Sequence, residues 1–459
     1  MQITHSSNKH QHNRIRTYRE NSNSYSFFNL LTGDALLDSV EALLPEHRER
    51  LYPPTETLSM FLAQAMSADR SCQNAVNQAA LQQLCGGLSA NSTHTGGYCR
   101  ARQRLPLDMV LHLTQYAGKH IGAQCPNEWL WQGRQVRIVD GTTVTMPDTA
   151  ANQATFPQQR GQRPGLGFPI CRLVGITCLA SGALINAAIG RFNGKGGDEQ
   201  TLLRTIQDTF QLGDIVVSDA FFATYFFLTA MQAKGIDILM EQNGSRRRTT
   251  DFRRGKKLGE RDHLVVINKP KNRPDWMSEA EYNATPDSLT VREFKAGGKI
   301  MVTTMTCPRN HPKEDLKRLY KSRWHVELDI RNIKDTMGMN VLSCKTPEMA
   351  IKEIWVYLLA YNLIRLMMVQ SALLSDIKPR NISFKHCLQV WLIYIQHAQG
   401  IDNLELLFQI MAQQQVGNRP GRIEPRAVKR RPKAYPLLTK PRNDARVEVR
   451  KNGHPKKLK

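Results

Sequence analysis

The stretch QVRIVDGTTVTM, residues 135–146, is where the chain changes character. Ahead of it apolar residues recur at helical spacing, whereas inside it β-branched residues cluster. This predicts a strand that ends near Asp140 and turns at Gly141. Downstream, CRLVGITCLA and ALINAAIGRF meet at a Ser-Gly pair and predict a hairpin. A helix over GDEQTLLRTIQDTF, a short buried strand in DIVVSDAFF ending at Asp219, a helix over ATYFFLTAMQAKG and a strand over IDILMEQN complete a mixed α/β core.

Working outward, residues 1–125 read as an all-helical N-terminal domain. TGDALLDSVEALL, TETLSMFLAQAMS and SCQNAVNQAALQQL each open on Ser or Thr, and Pro106 starts a further helix where its missing N–H is harmless. The core begins at 126 and runs to 243. It is interrupted over 244–312 by a basic, strand-rich insertion, with eleven Lys or Arg against four acids between residues 243 and 276. It then resumes over 313–400 with helices. Residues 401–459 form a basic C-terminal region; from Gly417 onward there are fifteen Lys or Arg and three acids, a composition that orders on meeting an anion.

The whole chain carries 63 Lys plus Arg against 40 Asp plus Glu, a net charge of +23, which points to a polyanionic partner, nucleic acid before a membrane surface. Nine cysteines without a C-x-x-C pair read as reduced thiols of a cytoplasmic protein, with no zinc ribbon or disulfide framework. The N-terminus lacks the apolar run of a signal peptide. The one long apolar stretch, IWVYLLAYNLIRLMMVQSALL, holds Asn362 and Arg365 near its middle and predicts a buried core helix instead of a membrane span.

The chemistry gathers at three carboxylates. Asp140 and Asp219 follow apolar β-branched residues, so each lies close to a low-dielectric core where its charge is costly unless a cation binds. YKSRWHVELDIRNIKDTMGMNVLSCK, residues 320–345, reads as one amphipathic helix. At about 100° per residue, Tyr320, Arg323, Glu327 and Lys334 fall within roughly 60° of one another. They border the apolar stripe of Leu316, Leu319, Val326, Ile330, Ile333 and Met337 and can look across the sheet edge toward Asp140 and Asp219. Three carboxylates without histidine favour a hard cation, so Asp140, Asp219 and Glu327 are expected to hold Mg²⁺ or Mn²⁺ in preference to Zn²⁺. Two such ions about 4 Å apart would activate a water or a 3′-hydroxyl for phosphoryl displacement. Arg323 and Lys334 by charge, and Tyr320 by one hydrogen bond, would then grip phosphates.

Each group alone has a plainer reading. A strand-end aspartate is commonly a turn or cap residue, and Glu327 could pair with Arg323 or Arg331 along the helix. GRFNGKGGDEQ lacks the spacing of a phosphate loop and predicts a turn into a helix capped near Asp198; Asp198 and Glu199 could stand behind the metal ligands, but the helix dipole explains them more simply. The basic runs Arg246–Arg248 and Lys429–Arg431 are either solvated or in contact with phosphate.

The combination resembles the DDE transposases of the insertion-sequence-four family. Their last catalytic helix carries Tyr, two residues, Arg, three residues, Glu, six residues, Lys, which Tyr320, Arg323, Glu327 and Lys334 match without a gap; VDGTTV and VVSDAFF match the two aspartate motifs. The resemblance implies a ribonuclease-H-like catalytic core, with Asp140, Asp219 and Glu327 as the metal-binding catalytic triad. It also implies a helical domain that binds the element's terminal inverted repeats, a homodimer that pairs two ends, and cleavage followed by joining of 3′-hydroxyl ends to target DNA. Some members stack a flipped base on an aromatic of the insertion, for which Trp276 and Phe294 are the candidates. The alternatives are a metal-dependent DNA nuclease without strand transfer and a catalytically silent DNA-binding descendant of a transposase.

Overall fold

Four helices, α1 (Pro54–Met66), α2 (Cys72–Cys85), α3 (Thr95–Arg104) and α4 (Leu107–Ala123), open the part of the chain described by this computed structural model, namely residues 52–85, 92–194, 196–397, 404–417 and 440–453. The helix expected over TGDALLDSVEALL and the Lys429–Arg431 cluster lie outside the described residues. Pro106 caps α4 at its N-terminus, as expected.

Strands β1 (Val136–Thr145), β2 (Ile170–Cys178) and β3 (Leu184–Arg191) are antiparallel neighbours. After helix α5 (Glu199–Thr205), strand β4 (Ile215–Ser218) lies parallel to β1 on its other side; helix α6 (Tyr225–Ala233) leads to β5 (Asp237–Glu241), parallel to β4. The strands and helices expected here all form in the expected order. Beyond them, β6 (Lys256–Gly259), β7 (Asp262–Asn268), β8 (Ser288–Ala296) and β9 (Lys299–Thr303) are antiparallel, and β9 pairs with β5. One nine-stranded sheet results, ordered β3-β2-β1-β4-β5-β9-β8-β7-β6.

Strand β4 shows why the run IVVS reads apolar throughout: all four residues are buried. Val216 faces α5 and α6, together with Val139, Ile238 and Met240. Ile215 and Val217 face Leu316 and Leu319 of helix α7 (Lys313–Lys321) on the other side. This two-sided burial is the pattern of a central strand covered by helices on both faces.

Two expectations are corrected. Strand β1 does not end near Asp140; it runs on through Gly141 to Thr145, because β2 pairs with it along its whole length while β4 stops at Ser218. Nor is 320–345 one helix. Bonds of i→i+3 type from Arg323 to Tyr320 and from Val326 to Arg323 tighten the join between α7 and α8 (Trp324–Arg331), and a π-turn follows over Asn332–Thr336. Gly338, at φ +85°, ends it, and residues 338–345 are not helical.

The long apolar helix α9 (Pro347–Leu374) is the centre of the helical layer, and 89% of its most apolar window is buried. It packs with α1, α4, α10 (Phe384–His397) and α11 (Leu404–Gln413) in a single core, which Leu173, Leu184 and Ala187 of the sheet join. Asn362 is fully buried yet satisfied: its amide donates to Thr114 O at 2.9 Å and Leu184 O at 2.8 Å and accepts from Leu184 N at 2.8 Å, fastening α4 and β3 to α9. Its bonds are those of a core helix, as the sequence predicts.

A second buried connection fixes α8. Asp329 is inaccessible to solvent; it accepts from Arg365 of α9 at 2.6 Å and takes both terminal nitrogens of Arg380 at 3.0 Å. Arg380 also donates to the carbonyls of Cys178 and Leu179 at the end of β2. Removing the carboxylate would leave two guanidinium groups in the interior without a counter-charge. Asp329→Ala should therefore cost about 3–5 kcal/mol of stability, read as a lower urea midpoint. A midpoint equal to wild type would show the connection to be idle.

Candidate active site

The parallel register of β1 and β4 aligns Ile138 with Val217, so two residues further on Asp140, still within β1, is matched by Asp219, the first residue past the end of β4. Along β1, Val139 belongs to the core beneath α5 and α6. By the alternation of a strand, Asp140 points to the opposite face, where α8 crosses.

There Arg323, at the start of α8, stands between two carboxylates: its guanidinium is 3.5 Å from Asp140 Oδ2 and 2.6 Å from Glu327 Oε1. The helical pair between Arg323 and Glu327 is therefore real, and it also bridges Glu327 to the sheet. Lys334 is expected as a phosphate contact; its ammonium donates to Thr143 O at 2.8 Å and Thr142 Oγ1 at 3.2 Å, so it is tied to β1 just past Asp140. Tyr320 packs beside Arg323, and its hydroxyl is buried without a hydrogen bond of good geometry. Burial pushes that phenol up to about 12, so it stays protonated and can only donate to an anion at neutral pH.

Asp219 accepts from Phe221 N at 2.9 Å, the turn-forming bond that a lone strand-end aspartate is expected to make. Asp140 accepts from Gly141 N at 2.9 Å. Burial pushes the Asp140 carboxyl up to about 6; the Gly141 N–H and Arg323 oppose the rise, while the charges of Asp219 and Glu199 add to it.

For Glu199 the sequence favours the helix dipole over a place near the carboxylates, and the structure puts its side chain elsewhere than that preference implies. Asp198 caps α5 as expected, accepting from Thr201 N at 3.0 Å, but Glu199 turns back onto the sheet over Gly141. The dipole reading of Glu199 thus misses where the side chain goes. Among the aromatic candidates, Phe294 is fully buried in β8 and cannot meet a base, whereas Trp276 is 48% exposed, with the Arg204 guanidinium 4.0 Å above its ring. Arg246 of the basic run pairs with the buried Glu293 at 3.1 Å and so has a structural partner.

Among the described residues no three His, Cys, Asp or Glu side chains are gathered tightly enough to ligate one ion as they stand. The donor set nonetheless suits a hard cation. It is all oxygen, and Asp140 and Asp219 repel one another in a half-buried setting that positive charge would relieve.

Comparison with known proteins identifies the family. The family described as "Transposase DDE domain" matches residues 131–363, which span the sheet and helices α7 and α8. The chain belongs to the DDE transposases, enzymes that move DNA elements and generally use divalent metal ions. Its group within them is that of the insertion-sequence-four elements: it is 30% identical over 364 residues to the Escherichia coli K12 transposase InsG for insertion sequence element IS4, covering 74% of this chain and 78% of that protein. A chain from a cryo-EM structure of the piggyBac transposase synaptic complex with hairpin DNA superimposes with a TM-score of 0.42 at 7% identity over 87% of both chains.

The raised Asp140 carboxyl has a consequence for stability. Its proton is held more tightly in the folded than in the unfolded chain, so ionising it costs stability as pH rises from about 4 through about 6. In chelator at pH 7.5, Asp140→Asn should be more stable than wild type by about 1–3 kcal/mol, and the gain should vanish at pH 4. An Asn variant less stable than wild type at pH 7.5 would contradict it.

Proposed function

We propose that Asp140, Asp219 and Glu327 are the catalytic and metal-binding triad of this transposase, holding Mg²⁺ or Mn²⁺, two ions in the working complex. The observation that carries the proposal is the β1–β4 register, which brings the two aspartates to neighbouring strand positions, with Arg323 linking Glu327 to the first of them. Bound there, the ions supply Lewis-acid activation of a water or 3′-hydroxyl and of the leaving oxygen.

The chain's own residues then position DNA. Arg323, held between two carboxylates, is the guanidinium next to which a phosphodiester would arrive, and Tyr320 donates a hydrogen bond to a phosphate oxygen. Lys334, fastened to β1, contributes a fixed positive charge. The strand order β3-β2-β1-β4-β5, an antiparallel trio followed by two parallel strands, supports a ribonuclease-H-like core, into whose sheet β6–β9 are inserted. In this reading residues 1–125 bind the terminal inverted repeats, 244–312 and the basic region 401–459 add phosphate contacts, and a homodimer pairs the two ends before joining them to target DNA. The nine free cysteines support a cytoplasmic setting.

Asp219→Ala should abolish both end cleavage and strand transfer in Mg²⁺, assayed on double-stranded DNA with the element's ends. Strand transfer at wild-type rate would refute the triad, and cleavage without joining by the wild type would favour a nuclease. Arg323→Ala should lower affinity for cleaved ends and reduce the slope of log affinity against log salt by about 1. An unchanged slope would remove Arg323 from the phosphate contacts.

A further inference from the structure

Glu199 is placed unlike an ordinary first-turn glutamate. The cap of α5 is already supplied by Asp198, which accepts from Thr201 N at 3.0 Å and from its hydroxyl at 2.6 Å. Glu199 lies instead across the β1 backbone: a Cβ at position 141 would come within 2.4 Å of its Cδ and 2.5 Å of its Oε1, so only glycine lets the side chain pass. Position 141 directly follows Asp140. The next residue, Gln200, donates to Phe221 O at 2.5 Å and ties the start of α5 to the turn that Asp219 closes.

The carboxylate is also weakly partnered. Among the described residues its one cation is Arg172, whose Nε is 3.7 Å from Oε1 and makes no hydrogen bond. The rest of that guanidinium is committed elsewhere, to Gly197 O at 2.7 Å and to the face of Phe192 at 4.7 Å. Among the described residues Glu199 accepts no hydrogen bond, although its side chain is only 26% exposed. A largely covered carboxylate without donors is costly unless a cation completes its surroundings.

We propose that Glu199 is a fourth oxygen ligand of the metal centre, reaching it over Gly141 from the sheet face opposite Glu327. The inference rests on the reading of Asp140 and Asp219 as metal ligands. One carboxylate then enters from each face of the sheet, and the two aspartates lie between them where β4 stops. Such a set offers two hard cations ligands from separate sides, so each ion keeps carboxylate contact while DNA occupies the α8 side.

The test is Mn²⁺ binding by the full-length protein without DNA, with free ion counted by electron paramagnetic resonance. Glu199→Gln should weaken binding about tenfold or more, and Asp140→Asn should weaken it at least as much. Gly141→Ala, which displaces Glu199 without removing its charge, should also weaken binding, whereas Arg172→Gln should leave it unchanged or tighten it. Wild-type binding by Glu199→Gln alongside loss in Asp140→Asn would overturn the fourth ligand and leave the triad standing. Wild-type binding by Asp140→Asn would overturn the triad reading and this inference with it. Equal losses in Arg172→Gln and Glu199→Gln would show that Glu199 serves only its ion pair.

Discussion

The candidate site hangs on a carboxylate that does no chemistry. Asp329 is buried between Arg365 and Arg380, and through them α8 is fixed to the central helix and to the end of β2. Pairing one buried carboxylate with two guanidinium groups leaves a net positive charge in the interior. The carbonyls of Cys178 and Leu179, together with the Tyr361 hydroxyl that accepts from Arg365 at 2.8 Å, satisfy the remaining N–H groups. Gly182, at φ +76°, makes room: a Cβ there would meet the Arg365 guanidinium carbon at 2.7 Å. Glu327 sits two residues before Asp329, so its direction follows from this arrangement together with its own 2.6 Å pair with Arg323.

Much of the fold was legible because the signals were local. The β-branched runs of the core strands, the Ser-Gly hairpin and the cap at Asp198 each depend on a few adjacent residues, and each formed where expected. Asn362 and Arg365 marked α9 as a core helix because polar groups in an apolar run need partners, and a folded interior provides them. The extent of β1 was not legible: whether a strand continues past an Asp-Gly pair depends on a partner thirty-five residues away in sequence, here Gly175 opposite Asp140.

The same division holds at the site. Asp140, Asp219, Arg323 and Glu327 were singled out by order, spacing and above all the family resemblance, and Arg323 lies within ion-pair distance of Asp140 and Glu327. For Glu199 the dipole was the simpler reading, because where its side chain lies depends on an absent Cβ on another strand, and nothing in GGDEQ records that. Lys334 was legible as a cation near the carboxylates but not as one tied to the β1 backbone, since a uniform wheel ignores the tightened turn at Arg323 and the widened one at Asn332–Thr336. Likewise Arg246 reads from sequence as one of three free cations, and only the fold supplies the buried Glu293 that engages it.

The widened turn bears on how such a motif can vary. Six residues separate Glu327 from Lys334, and Lys334 itself lies inside a π-turn closed by the bond from Met337 N to Asn332 O at 2.9 Å. A π-turn contains one residue more than the α-helical turn it replaces. Losing that residue would restore a regular helix, yet it would swing the ammonium away from the Thr143 carbonyl it now meets. The spacing between the two residues therefore works as a ruler whose length includes a helical defect. An insertion or deletion here would move Lys334 relative to Glu327, whereas replacing one of the outward-facing residues between them would leave that spacing intact.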